Sequence, residues 1–327
     1  MLVLSEKIIQ ENYQMADAIR DLKEGFRSKA DGTIQNPHRT VIEFPDHQAS
    51  ILYMPSADMK REIASIKIVS IFPENPTVGK ATTQGMLLLT DAANGDHLCM
   101  MSASYLTRLR TGALTGIATD KLAREDSKTL GVIGTGAMAF EQTLGVLEVR
   151  AIETIYLFNR TEEKAHQFKQ KLHNFGVKQE IHVLTSANDI LDKADVICCS
   201  TRSYTPIFDG YLLQDGTHIN GVGSYLPHMR EVDLTTVQKA SKIVVDDLPA
   251  VKDEAGELIH ADSTGKWCFS DIHAELGDIS NLDHLVRESN EEITFFKSVG
   301  AAYIDLFVAK GIYEQAKARG VGDDVAF

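Results

Sequence analysis

The sequence predicts an α/β protein in which a doubly wound parallel sheet that holds a nucleotide is joined to a second, α+β lobe. Three observations carry this expectation. At 327 residues the chain is long for one hydrophobic core, so two lobes sharing a cleft are expected. After residue 128 nearly all-apolar strand segments alternate with helical ones, as in a parallel sheet covered on both faces. Residues 129 to 142, TLGVIGTGAMAFEQ, place a glycine-rich turn between one such strand and one such helix. The composition, 43% hydrophobic and 24% charged, excludes a disordered or fibrous chain. A formal charge of −13 without any Lys/Arg run argues against a nucleic-acid or anionic-membrane surface.

Taken in order, the opening MLVLSEKIIQ has an acid at Glu6 and no basic segment, and nowhere do about 18 apolar residues run together. Neither an export signal nor a membrane span is expected, and the protein is read as cytoplasmic. Met15, Ile19, Leu22 and Phe26 recur at helical spacing, and this helix stops at Asp31 and Gly32. Between residues 40 and 101 the short runs TVIEF, ASILYM, IASIKIVSIF and MLLLT predict an antiparallel sheet suited to a substrate lobe. Gly112, Ala113, Gly116 and Ala118 let the helix over residues 105–123 approach a neighbour closely. TLGVI, TIYLF, IHVL, ADVICCS, HINGVG and KIVVDD follow as parallel strands, with a helix through EEKAHQFKQKL. In the closing SVGAAYIDLFVAKGIYEQA, Val299, Tyr303, Leu306 and Phe307 share a helical face that returns to the first lobe. Residues 1–118 with 300–327 are assigned to substrate binding and dimerisation, and 119–299 to the nucleotide. Cys99, Cys198, Cys199 and Cys268 form no CxxC pair and are read as reduced, buried thiols. The sequence-adjacent Asp271, His273 and Glu275 are read as a solvated turn, and no metal is expected.

Gly134, Gly136 and Ala139 form G-x-G-x-x-A after a strand, where missing Cβ atoms let backbone amides and a helix N-terminus meet a pyrophosphate. Thr135, Ala137 and Met138 belong to the same cofactor-binding turn; a tight turn without ligand is the competing reading. The second strand ends at Asn159, Arg160 and Thr161, without the carboxylate that reads a ribose 2′-hydroxyl. Arg160 can pair with a 2′-phosphate, while Asn159 and Thr161 offer neutral hydrogen bonds. NADP(H) is therefore expected over NAD(H).

Arg39 in NPHRT, Lys67 in ASIKIVSIF and Arg110 in RLRTGALTG sit in otherwise uncharged company. Lys67 interrupts an apolar strand, where an ammonium is costly to bury unless an anion or a functional role compensates. Alternation alone equally admits a lysine on the solvent face.

Over nearly its whole length the chain resembles the ornithine cyclodeaminase and mu-crystallin family. KIVSIFPENP, LRTGALTGIAT, VIGTGAMA, NRT, ADVICCST, GVGSYLPHMREVD and SVGAAYIDL carry the resemblance. It implies a Rossmann lobe, a second lobe that forms a homodimer, and a small amino or imino acid bound between them beside the nicotinamide. It places Arg39, Lys67 and Arg110 at substrate-carboxylate and catalytic positions. The family's cyclodeaminases resemble one another in an Asp within G-x-D-x-P-G-K-x-E; in the equivalent GSYLPHMRE, Tyr225 stands there. The missing carboxylate and the NADP-type strand end both favour a reductase of a cyclic ketimine such as Δ1-pyrroline-2-carboxylate, giving L-proline. Alternatives are an ornithine cyclodeaminase, an alanine-dehydrogenase-like enzyme, and a mu-crystallin-like small-ligand binding protein. In the reductase reading Arg39 and Arg110 bind the carboxylate, and Lys67, its pKa depressed by two nearby cations, serves the imine nitrogen. Thr111, at the start of its helix, reaches a phosphate; Thr82, Thr83 and Tyr225 face the substrate; Ser200, Thr201, Val222, Gly223 and Ser224 lie on the binding edge of the sheet. By resemblance, Val299 and Gly300 close over the nicotinamide. Ser and Thr at strand ends serve equally as local turn caps.

Overall fold

The computed structural model describes residues 1–326. Two compact units emerge, Met1–Arg110 together with the stretch from Ala301, and Thr111–Gly300. The division falls between residues 110 and 111, eight residues before the 118/119 boundary read from the sequence. It lies inside one continuous helix, Ala103–Leu122, so no composition break marks it.

The first unit is an eight-stranded sheet with helices on one face. Its strands are β1 (Leu2–Leu4), β2 (Ile34–Gln35), β3 (Thr40–Phe44), β4 (Ala49–Asp58), β5 (Ile63–Ile71), β6 (Thr83–Asp91), β7 (His97–Ser102) and the closing Asp323–Asp324. The run β3 to β7 is antiparallel as the alternation predicts, with β1 parallel to β7. Helix α1 (Glu6–Asn12) starts at Ser5, whose Oγ accepts from Ile8 N at 3.3 Å. Helix α2 (Met15–Ala30) buries Met15, Ile19, Leu22 and Phe26, the stripe the sequence singles out, and a Gln14–Asp17 capping box fixes its start. The C-terminal helix (Ala302–Arg319) packs on α2 and on β4, β5 and β6. It comes so close at Gly25 that a Cβ there would overlap the Phe307 ring. Tyr303, Leu306 and Phe307 lie on this helix; Val299 precedes it and belongs to the other unit.

The second unit carries β8 (Thr129–Ile133), β9 (Thr154–Phe158), β10 (Glu180–Val183), β11 (Val196–Cys199), β12 (His218–Gly221), β13 (Ala240–Val245), β14 (Ala274–Glu275) and β15 (Ile293–Lys297). All neighbours are parallel, in the order β10-β9-β8-β11-β12-β15-β13-β14. The winding reverses at β8, which opens a crevice between the carboxyl ends of β8 and β11. The segment ITFFK, not expected as a strand, enters as β15 between β12 and β13. Helix α3 (Ala103–Leu122) is crossed by α4 (Ala137–Val149) at Gly145, where a Cβ would strike the Gly112 carbonyl. The small residues on α3 do permit a close helix approach. Helix α5 (Glu162–Phe175) ends on Gly176 in the left-handed region, φ 106°. Cys99, Cys198 and Cys199 are buried, but Cys268 is exposed, because it caps a short surface turn rather than lying in a strand.

Candidate functional site

In the first unit, alternation along β5 turns Lys67 toward the helices, so it is not a solvent-face lysine: it is 3% exposed. Its neighbours in the sheet are Met54 and Leu87, both buried. Lys67 Nζ donates to Asp305 Oδ2 at 2.5 Å, and Arg110 Nε donates to Asp305 Oδ1 at 3.2 Å. Two cations thus share one fully buried carboxylate in an apolar sandwich of sheet and helix. Burial above all, opposed by Asp305 and reinforced by Arg110 and Arg39, brings the Lys67 ammonium down to about 8. Arg39, half-buried in the loop before β3, is therefore electrostatically part of the cluster. Thr83 begins β6 opposite Ile71, on the face that carries Lys67, and Thr82 lies just before it, its carbonyl accepting from Phe72 N. Sequence reasoning misses Asp305. Its signal, an acid in the apolar stretch AAYIDLFVA, is there, but its partner is 238 positions away.

In the second unit, the turn at Gly134–Gly136 has the features of a pyrophosphate cradle. Gly134 sits at φ 88°, and a Cβ on it would press on Thr201 and Ser200. At Gly136, the N-cap of α4, a Cβ would meet nothing within 4 Å, and no side chain caps the helix. The buried Thr135 Oγ1 has no protein partner. Open space, free first-turn amides and an unsatisfied hydroxyl at a helix N-terminus fit a phosphate ligand. Ala137 and Met138 form the first turn of α4. Asn159 Oδ1 accepts from Thr135 N at 3.2 Å and its Nδ2 donates to Thr161 O at 2.9 Å, so its amide ties the second strand to the turn. Arg160 is exposed beside it, and Thr161 is the N-cap of α5.

Other predicted contacts turn inward. Ser200 Oγ donates to the Gly134 carbonyl at 2.9 Å, and Thr201 Oγ1 donates to Glu231 at 2.8 Å, so both hydroxyls serve as local caps. The Ser224 hydroxyl is buried against Glu257, while Val222 is 8% exposed and Gly223 N donates to Glu231 at 2.6 Å. Thr111 lies in the middle of α3 rather than at its start, because the RLR segment before it is already helical. Tyr225 OH accepts from Arg202 Nη2 at 3.1 Å. Val299 and Gly300 follow β15, and their amides donate to the buried Asp246, Gly300 N at 2.7 Å. Glu231 and Asp246, which hold these loop amides, also escape notice in the sequence, since acids in GVGSYLPHMREVD and KIVVDD look like surface turn residues in one dimension.

The family model described as "Ornithine cyclodeaminase/mu-crystallin family" matches residues 1–320. The chain is 42% identical over 332 residues, covering 100% of both, to a Δ1-pyrroline-2-carboxylate reductase of Bacillus cereus. Its fold is similar to that of the Thermococcus litoralis Δ1-pyrroline-2-carboxylate reductase solved with NADH and L-proline, with TM-score 0.94, 37% identity, and 99% and 100% of the two chains covered. An archaeal alanine dehydrogenase dimer with bound NAD matches at TM-score 0.91 and 34% identity over 100% of this chain and 99% of that one. With the family match running to residue 320, the chain is a member of the ornithine cyclodeaminase/mu-crystallin family.

Proposed function

We propose that this chain reduces the carbon–nitrogen double bond of a cyclic 2-carboxy-imine, Δ1-pyrroline-2-carboxylate, to L-proline. The observation that carries the reading is the buried trio of Lys67, Arg110 and Asp305: two cations on one carboxylate, in a place where an unneeded charge would be excluded. The full-length relatives named as Δ1-pyrroline-2-carboxylate reductases support it. When bound, the nicotinamide cofactor supplies the hydride. The chain's own tasks are to hold the carboxylate and manage one proton. Arg39 and Arg110 offer guanidinium donors to the substrate carboxylate, with Thr82, Thr83 and Tyr225 as further substrate contacts. Lys67, with a pKa near 8, delivers the proton that the imine nitrogen takes as its carbon receives the hydride.

The first unit is assigned to substrate binding and dimerisation and the second to the cofactor, with Gly134, Thr135, Gly136, Ala137 and Met138 at the pyrophosphate. The exposed Arg160 and the absence of an acid in Asn159-Arg160-Thr161 support NADP(H); the T. litoralis and archaeal relatives were solved with NADH and NAD, so the preference in this chain is a property of its own strand end. A homodimer is supported by the dimeric archaeal relative and by the helix-free sheet face, where alternation places Tyr53, Ile66, Ile68, Met86, Leu88 and Met100 outward. Among the described residues no helix is long and apolar enough to cross a membrane. A cytosolic location is supported by the exposed free thiol of Cys268, which an oxidising compartment would tend to modify.

The test follows NADPH and NADH absorbance with Δ1-pyrroline-2-carboxylate, Δ1-piperideine-2-carboxylate, and pyruvate plus ammonia in parallel. Oxidation fastest with the five-membered imine is the expected result. Turnover confined to pyruvate and ammonia would make the chain an alanine dehydrogenase, and cofactor binding without turnover of any substrate would make it a binding protein.

A further inference from the structure

At the carboxyl ends of β11, β12 and β15 lies a second buried charge cluster that none of the proposed chemistry uses. Lys297, the last residue of β15, is fully enclosed. Its Nζ donates to Ser224 O and Ser224 Oγ, each at 2.5 Å, and to Glu257 Oε1 at 2.9 Å, so all three ammonium donors are satisfied. Glu231 is equally enclosed and accepts four hydrogen bonds. Oε1 takes Thr201 N at 2.5 Å and Thr201 Oγ1 at 2.8 Å; Oε2 takes Gly223 N at 2.6 Å and Ser224 N at 3.2 Å. Ser224 Oγ donates to Glu257, which closes the circuit. At Gly223 a Cβ would collide with Thr201 O and N and with Glu231, so the loops after β11 and β12 touch through backbone alone. Two further backbone bonds clip them together: Arg230 N to Ser203 O at 2.9 Å and Ile207 N to Glu231 O at 3.0 Å.

A buried ionic cluster of this kind costs desolvation that well-packed apolar residues would avoid, so it is a poor way to obtain stability alone. What it supplies is position. Loop amides that would otherwise choose among conformations are pinned to a single carboxylate, next to the crevice where β8 and β11 diverge. One of the loops it pins, the one after β11, is also the loop against which Gly134 is packed, through Ser200 and Thr201.

We propose that Glu231, Glu257 and Lys297 are positioning residues that hold the loops after β11 and β12 in the shape that receives the nicotinamide cofactor, with Glu231 as their central member. This rests on the reading of the second unit as the cofactor lobe. Glu231→Gln is the informative substitution because it turns one of two doubly accepting oxygens into a donor facing donors. That leaves either Thr201 or the Gly223–Ser224 pair unsatisfied, an effect of about tenfold in any equilibrium that needs both.

Three readouts decide it in the full-length protein: the NADPH dissociation constant by fluorescence titration, hydrogen exchange over residues 199–226 without cofactor, and kcat against KM for NADPH. Glu231→Gln is expected to weaken NADPH binding about tenfold and to speed exchange over residues 199–226. KM for NADPH rises with it, while kcat at saturating cofactor stays within about threefold. Affinity within about twofold of wild type would overturn the proposal, whether or not exchange quickens. So would a loss confined to kcat. Should Glu231→Gln fail to fold, Ser224→Ala, which removes one hydroxyl from the same circuit, takes its place, and an unchanged NADPH affinity there overturns the proposal as well. A wild-type protein that binds neither NADPH nor NADH would instead overturn the assignment of the cofactor lobe, and this proposal with it.

Discussion

Lys67 is buried by the alternation of β5, and that burial is the largest influence on its proton. Asp305, 2.5 Å away, keeps the ammonium form accessible, while Arg110 and Arg39 work against it; the balance lies near pH 8. For a base, a lowered pKa means that the proton is lost at a lower pH than usual. A group that must donate a proton is then competent below about 8 and fails above it. In the free enzyme kcat/KM for imine reduction is therefore expected to fall as pH rises through about 8. Asp305→Asn removes the one partner that raises the pKa, so the alkaline limb should move to lower pH. A limb that stays in place in this variant would assign the titration to another group. Lys67→Met should abolish the limb and lower kcat by about 10²–10⁴. Turnover within a few-fold of wild type would exclude Lys67 from the proton transfer.

At the scale of elements, the proposed preference for NADP(H) rests on the connection from β9 into α5. Asn159 is committed on both sides of its amide, to Thr135 N and Thr161 O, and so acts as a brace for the glycine turn rather than as a free donor. Arg160 is left as the cation of the strand end, exposed where a 2′-phosphate would be read. Arg160→Asp replaces a charge-assisted pair with repulsion, and NADPH affinity should drop about tenfold or more while NADH affinity holds. Cofactor titrations of both forms check this; an unchanged ratio would mean that Arg160 reads nothing. The close crossing of α3 and α4 is a packing matter of the same scale. Gly145→Ala places a methyl against the Gly112 carbonyl and is expected to lower stability by about 1–3 kcal/mol, read from a denaturant midpoint.

For the whole molecule, the helix-free face of the first unit's sheet is too apolar to be left wet: Met86 is 40% exposed, and Ile42, on the adjoining β3 and paired with Ile51, is 46% exposed. Pairing with a second copy would cover it. Sedimentation should give twice the chain mass, and Ile68→Asp, an acid placed mid-face, should shift the protein to monomer; a wild-type monomer at micromolar concentration would refute the homodimer. Much of this molecule is readable in one dimension because the signals are local. Period-two and period-3.6 patterns announce the antiparallel sheet, the βαβ run and the stripe of α2, and the glycine turn declares itself by its place between a strand and a helix. Lys67 stands out as a charge in an apolar strand, though alternation leaves its direction open. Whether that charge is inward and paired is decided by the C-terminal helix returning with Asp305, a meeting of residues 238 positions apart. The same is true of β15 threading between β12 and β13, and of the hydroxyls of Ser200, Thr201 and Ser224 being spent on the protein itself. Periodicity reports what each residue does with its near neighbours along the chain; the partner of a buried charge and the direction of a hydroxyl depend on which distant segment packs there, and only the packed chain contains that fact.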